Sequence, residues 1–232
     1  MAQPEVQYLE VAGRSIAYRY RPGSGPTLVF LPGYGSDMEG NKALALDGFA
    51  EECGLALLRF DYSGTGSSPG KFEDGTLDAW LEEALAVVDQ VTNGPLIVIG
   101  SSMGGWIALH LALLRPDRVK ALIGIASASD FTSWGFAKAN AAIAAGLARG
   151  FWESGQKLLL LDKPIDVHCP VRLLHGEIDQ DVPLDLAFRT MRALRSADVQ
   201  LMVLKGGGHR LSEPHEIDAI LRTVAALLEQ AS

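Results

Sequence analysis

"LIVIGSSMGGWIAL", Leu96 to Leu109, decides how this chain folds, and the "GSSMG" inside it, Gly100 to Gly104, decides which chemistry to look for. It fits G-x-S-x-G with Ser102 at the centre, but "GSSPG", Gly66 to Gly70, fits equally well around Ser68. A nucleophilic serine on such a motif needs a strand before it and a helix after it, so that a strained turn lifts its hydroxyl above a sheet. "PLIVIG" is an apolar, β-branched run opened by Pro95, and reads as a buried parallel strand. "MGGWIALHLALLRP" reads as a helix stopped at Pro116.

Ser68 has loop sequence on both sides, "DYSGTGS" and "PGKFEDGT". The residue after a nucleophile must also give its backbone N–H to an oxyanion. Pro69 has none, whereas Met103 does. Ser101 is set aside because it would place Ile99 and Met103 where the crowded turn wants glycines. Ser102 is the candidate nucleophile.

Outward from that stretch, strands alternate with helices. "VQYLEVAGRSIAYRYRPG" reads as an antiparallel hairpin around Gly13. "TLVFLPG", "LALLRFDYSG", "VKALIGIAS", "PVRLLHG" and "VQLMVLKG" read as further strands. Helices are expected over about Glu39–Cys53, in "TLDAWLEEALAVVDQVT" with a Thr at its start, in "LDLAFRTMRALRS" and in "PHEIDAILRTVAALLEQ". This alternation predicts an α/β class with a mostly parallel sheet covered on both faces. The irregular stretch 129–165 reads as a small insertion, a cap or lid, between the core segments 1–128 and 166–232.

With 232 residues, 48% hydrophobic, the chain can bury a full core. A net charge of −8 argues against nucleic acid or an anionic membrane as partner. Two cysteines, Cys53 and Cys169, form no disulfide framework, and each is expected to be a buried small residue in a reducing compartment. The N-terminus shows no signal peptide and no apolar run reaches membrane-span length, so the expectation is cytoplasmic, without stable membrane insertion.

A serine needs a base to take its proton, and the base needs a third group to hold its tautomer. Of five histidines, His110 lies inside the helix after Ser102 and reads as a packed helix residue. His168 and His175 read as structural turn residues, and His215 as first-turn residue of the last helix, with Ser212 as a possible cap. His209 alone follows a strand directly, in the glycine-rich "LKGGGHRLSEP", where a loop can return an imidazole over the C-terminal edge of the sheet. "LLHGEIDQDVP" offers Glu177, Asp179 and Asp181 as the acid. Asp179 is preferred for its distance from the strand end, while Asp181 could cap the following helix. No ligand pair in this cluster has metal-binding spacing, and neither metal nor cofactor is expected. The loop "FLPGYGSDMEG" should supply a second oxyanion donor, the N–H of Tyr34, beside that of Met103.

Together, "LPGYGSDMEG", "RFDYSGTGSS", "GSSMGGWIALHLALLRPDRVKALIGIA", "CPVRLLHGEIDQDVP" and "GGGHR" resemble the α/β-hydrolase superfamily. Within it they are most similar to the branch of α/β-hydrolase domain-containing protein ten, a palmitoyl-protein thioesterase also described as an acyl-glucuronide esterase. The resemblance runs from about Thr27 to Leu228 and implies the α/β-hydrolase fold, with Ser102 as nucleophile, Asp179 as orienting acid, His209 as base, and Tyr34 and Met103 at the oxyanion positions. It also implies an ester, thioester or acyl-glucuronide substrate, that is, a small-molecule or acylated partner. Two departures point to a bacterial-type relative: stretch 129–165 matches poorly and is shorter, and the hairpin begins too early to leave room for a transit peptide. Pro32-Gly33 also stands where many hydrolases carry His-Gly.

The alanine-rich insertion carries Phe136, Ile143, Leu147 and Phe151 at helical spacing, interrupted by Asn140. This stripe either packs the cap onto the body or lines an acyl pocket. Trp134, Phe136, Ile143 and Trp152 are the candidate substrate walls. A C–C bond hydrolase or a haloperoxidase-like enzyme could use the same three side chains, and a non-catalytic binding protein could keep the fold.

Overall fold

The computed structural model describes residues 3–136, 140 and 146–231. Eight strands form one sheet in the order β1-β2-β4-β3-β5-β6-β7-β8. β1 (Gln7–Val11) and β2 (Arg14–Arg21) are the expected hairpin, turning through Ala12 and Gly13, both at positive φ, as the right-handed twist of two paired strands requires. β2 pairs antiparallel with β4 (Leu55–Phe60). From there β3 (Ser24–Leu31), β5 (Leu96–Ser101), β6 (Val119–Ile125), β7 (Val171–Gly176) and β8 (Val199–Leu204) run parallel. Their C-terminal ends therefore share one edge.

The period of two along each strand divides the core into two layers. Leu28, Phe30, Ile97, Ile99 and Ile123 face α1 (Asn41–Cys53) and the last helix, α7 (Pro214–Ala231). Val29, Leu31, Leu58, Phe60 and Val98 face α2 (Leu77–Val91) and α3 (Met103–Leu114). Thr76 caps α2 by accepting the N–H of Ala79. α3 is buried from Met103 to Ala112, because the sheet covers one side and α2 with the insertion covers the other, which is why its sequence is apolar all round.

In the insertion, α5 (Arg149–Lys157) lies against α2 and against α4 (Phe131–Trp134). Its ends are tied together by Asp130, a buried carboxylate that accepts the N–H groups of Leu160 and Leu161. The expected single stripe from Phe136 to Phe151 is broken: Gly146, at φ +89°, with Leu147 and Ala148 stands outside any helix, and α5 starts only at Arg149. Ile143 lies outside the described residues.

Other expectations are corrected. Cys53 is exposed at the end of α1, and only Cys169 is partly buried, its thiol pushed up to about 11 by burial. α6 (Leu184–Ala193) begins after Pro183 with no side-chain cap, so Asp181 does not cap it. α7 begins at Pro214, one residue later than a Ser212 cap would place it, and the carboxylate of Glu216 reaches back to accept the N–H of Glu213. Among the described residues no helix is long and apolar enough to cross a membrane.

Candidate active site

Six parallel strands send their loops to the shared edge, and the loops after β3, β5, β7 and β8 bring the candidate residues together. The loop after β5 is the tightest. Ser102 sits at φ +54° and ψ −120°, a conformation that costs roughly 1–3 kcal/mol for a residue with a Cβ. The turn is over-determined by its surroundings. The N–H of Ser102 donates to the C=O of Ile125, and its own C=O accepts from Gly105 and Ala128. A Cβ on Gly104 would stand 2.1 Å from the C=O oxygen of Leu31, and one on Gly100 would stand 2.2 Å from that of Gly104. Both glycines are therefore required by close backbone approach.

The loops after β7 and β8 are laced to each other. Ile178 N–H donates to Gly207 C=O, Glu177 N–H to Leu204 C=O, and the Glu177 carboxylate accepts from Gly206 N–H. This lacing sorts the three acids. Glu177 is spent on the loop, Asp181 is exposed, and Asp179 turns inward with a buried side chain. One Asp179 oxygen accepts the N–H groups of Asp181 and Val182; the other is 2.9 Å from His209 Nδ1. His209 Nε2 is 3.0 Å from Ser102 Oγ.

A carboxylate only accepts, so Nδ1 carries the proton and Nε2 presents a lone pair to the serine hydroxyl. Burial pushes the Asp179 carboxyl up, but the His209 hydrogen bond and the two backbone donors outweigh it, and it lies below its ordinary value. The arrangement can draw a proton from Ser102 and stabilise the imidazolium that results. Asp179, Asp181 and His209 also bring potential metal-ligand atoms within 4.8 Å of one another, but both ring nitrogens are already engaged by Asp179 and Ser102.

Met103 is the first residue of α3, so its N–H has no partner within the helix. Tyr34 occupies the second position of a turn closed by Ser36 N–H on Gly33 C=O, which leaves its own N–H pointing outward. Neither N–H has an acceptor among the described residues. Gly33 brings this turn against the elbow, since a Cβ there would lie 3.2 Å from Ser102 Cβ. The Tyr34 ring is held among Phe72, Trp80, Phe131 and Phe151.

Two residues unremarked in the sequence reading hold that turn. Arg59, 1% exposed, donates to Met38 C=O, and Asp61 accepts Met38 N–H and Ser67 N–H. The signal was available: "LALLRFDY" places an Arg inside an otherwise apolar strand.

An apolar cavity of about 390 Å³ opens on one side of Ser102, lined by Met103, Ala128, Phe131, Trp134, Phe136 and Leu147 among others. Trp134 and Phe136 thus stand where a wall was expected. Trp152 does not: its indole N–H donates to Phe136 C=O and its ring packs against the core cluster, behind the wall rather than in it. Three of the four remaining histidines hold other groups, and His175 Nε2 also lies 3.5 Å from the Asp179 oxygen that His209 engages. His110 and Trp106 both hold Leu158 C=O, His175 holds Val182 C=O, and His168 pairs with Asp166 at the surface.

The family model described as the alpha/beta hydrolase fold matches residues 26–143. The human palmitoyl-protein thioesterase ABHD10, mitochondrial, is 36% identical over 94% of this chain and 78% of its own. The structure of alpha/beta hydrolase domain-containing protein 10 from mouse superposes with a TM-score of 0.93 at 34% identity, over 98% of this chain and all (100%) of that one. A putative hydrolase from Agrobacterium vitis S4 superposes with a TM-score of 0.91 at 37% identity, over 97% and 98% of the two chains.

Proposed function

Since the chain belongs to the α/β-hydrolase family, and is related within it to ABHD10, we propose that it is a serine hydrolase of carboxylic esters or thioesters. The observation that carries this reading is the continuous relay from Ser102 Oγ to His209 Nε2, 3.0 Å, and from His209 Nδ1 to Asp179, 2.9 Å. His209 takes the Ser102 proton as Oγ bonds to the acyl carbon. The N–H groups of Tyr34 and Met103 hold the carbonyl oxygen as it becomes an oxyanion. The tetrahedral species collapses by breaking the bond to the leaving oxygen or sulfur, which departs with the proton from His209. Water, activated by the same imidazole, then releases the acid and restores Ser102.

The apolar cavity suits the acyl group, and the thioesterase name of the related human protein supports a fatty acyl chain.

A fluorophosphonate should add one adduct by intact mass, mapped to Ser102 and missing from Ser102→Ala. A p-nitrophenyl ester series should rise from acetyl to octanoyl. Activity that peaks at acetyl and is lost by octanoyl would defeat the fatty-acyl part, and an unlabelled Ser102 would defeat the whole reading.

A further inference from the structure

A second cavity, about 400 Å³, meets the first at Tyr34, Ser102 and His209. The two differ in chemistry. Where the first is walled mainly by apolar side chains, with Asp181 its one carboxylate, this one is lined by Ser36, Asp37, Asn41, Lys42, Arg210 and Ser212. Its one carboxylate, Asp37, accepts the N–H of Glu39 and so belongs to its own loop. Its two cations are less committed. The Lys42 ammonium donates to the C=O of Arg210, which leaves two of its three hydrogens. Neither cation has a carboxylate within ion-pair distance among the described residues. Burial pushes the Lys42 pKa down and the neighbouring Arg210 charge adds to the fall, while the carboxylate of Glu216 only partly opposes them. α1 adds to the same field, because it starts at Asn41 with no side-chain cap and no acid in its first turn.

We propose that this cavity receives the leaving group, and that Lys42 and Arg210 select an alcohol or thiol carrying a negative charge, a carboxylate or a phosphate. The inference rests on the serine-hydrolase reading. With the acyl chain in the apolar cavity, the bond to be broken lies over Ser102, and the leaving group has the polar cavity on its side. As the tetrahedral species on Ser102 collapses, the leaving atom keeps the electron pair of the broken bond and takes the proton from His209. Its anionic substituent stays beside the two cations throughout.

The test compares four butyrate esters: p-nitrophenyl, 3-carbamoylphenyl, 3-carboxyphenyl and 3-phosphonooxyphenyl, with each kcat/KM divided by the ester's own hydroxide rate. At least one anionic ester should exceed the neutral carbamoyl ester by about tenfold or more, as charge-assisted contacts do. The ratio should fall several-fold in 0.5 M NaCl and approach one in Lys42→Met/Arg210→Met, while Lys42→Arg keeps it. Whichever anionic ester leads separates carboxylate from phosphate. Hydrolysis of the p-nitrophenyl ester without an anionic preference, or a preference that the salt and the double variant leave intact, overturns the proposal alone. No hydrolysis of any ester overturns the serine-hydrolase reading, and this proposal with it.

Discussion

Ser102 and Ser68 hold the same place in the same five-residue pattern, and their hydroxyls stand in unlike surroundings. Ser102 Oγ is partly open and 3.0 Å from an imidazole nitrogen. Ser68 is buried; its Oγ accepts the N–H of Ala17 and donates its only proton to the C=O of Asp61. Glycines serve both segments, for different reasons. Gly104 lets a helix start against the backbone of β3, whereas Gly66, at φ +47°, makes room for the Asp61 carboxylate, which a Cβ would approach to 2.2 Å. The pattern therefore records crowding. A serine hydroxyl meets an imidazole only where the crowding lies between a strand and a helix, above a sheet edge that other loops share.

The widest separation between the two sites should appear in turnover. Ser102→Ala is expected to lower kcat by on the order of 10⁴-fold or more while shifting stability by less than about 1 kcal/mol. Ester hydrolysis and a thermal melt on the same preparation measure both. A similar loss from Ser68→Ala, in a protein with an unchanged melt, would break the comparison.

Asp179→Asn tests what Ser68 lacks, an oriented base. A loss in kcat approaching 10⁴-fold is expected, because the amide no longer fixes the His209 tautomer. The variant also has a signature in stability. The folded-state pKa of Asp179 lies below the ordinary carboxylate value of about 3.9. Its stabilisation is therefore complete above that value and is lost as pH falls through the depressed one. Urea unfolding should show the parent and Asp179→Asn converging at the acid end and diverging as pH rises past about 4. Parallel curves would mean that the hydrogen bonds to Asp179 do not favour its charged form.

Met103→Pro makes the elbow spell like the other segment. Proline is acceptable as the first residue of a helix, but it removes the N–H and drives the preceding residue toward extended backbone, against the φ of +54° at Ser102. Loss of one oxyanion donor alone is worth about 10²–10³ in kcat. Near-parent kcat in Met103→Pro would remove that N–H from the mechanism.

Much of this was legible in the sequence, for a physical reason. Parallel strands buried on both faces read as apolar runs, and a parallel sheet sends every chemistry-bearing loop to one edge. So Ser102, Asp179 and His209, each just beyond a strand, could be named before their distances were known. What was not legible depends on which surface a side chain meets. Trp134 and Trp152 are both aromatic residues of the insertion, yet one faces the cavity and the other donates behind it to Phe136. Helical spacing cannot separate them, because both sides of the insertion are apolar. Cys53 was misjudged because burial frequency ignores that a helix end can face solvent. "LALLRFDY" flags Arg59 as a buried charge in an apolar strand, but not that it and Asp61 hold the backbone of Met38, because a backbone partner leaves no mark on sequence.

Those two residues join the compared segments, and they set the smallest effect. Asp61 accepts N–H groups from Ser67, inside the second segment, and from Met38, behind the turn that carries Tyr34. Ser68 holds the backbone C=O of the same Asp61. Ser68→Ala strands that carbonyl and the Ala17 N–H in a buried place, at a cost of about 1–3 kcal/mol. Because the carboxylate itself keeps its donors, the Tyr34 turn should hold its place, and kcat should change by no more than a few-fold. A lowered melt with preserved turnover is the expected result. If turnover instead fell a hundredfold with the melt unchanged, the second segment would be part of the oxyanion machinery rather than its foundation.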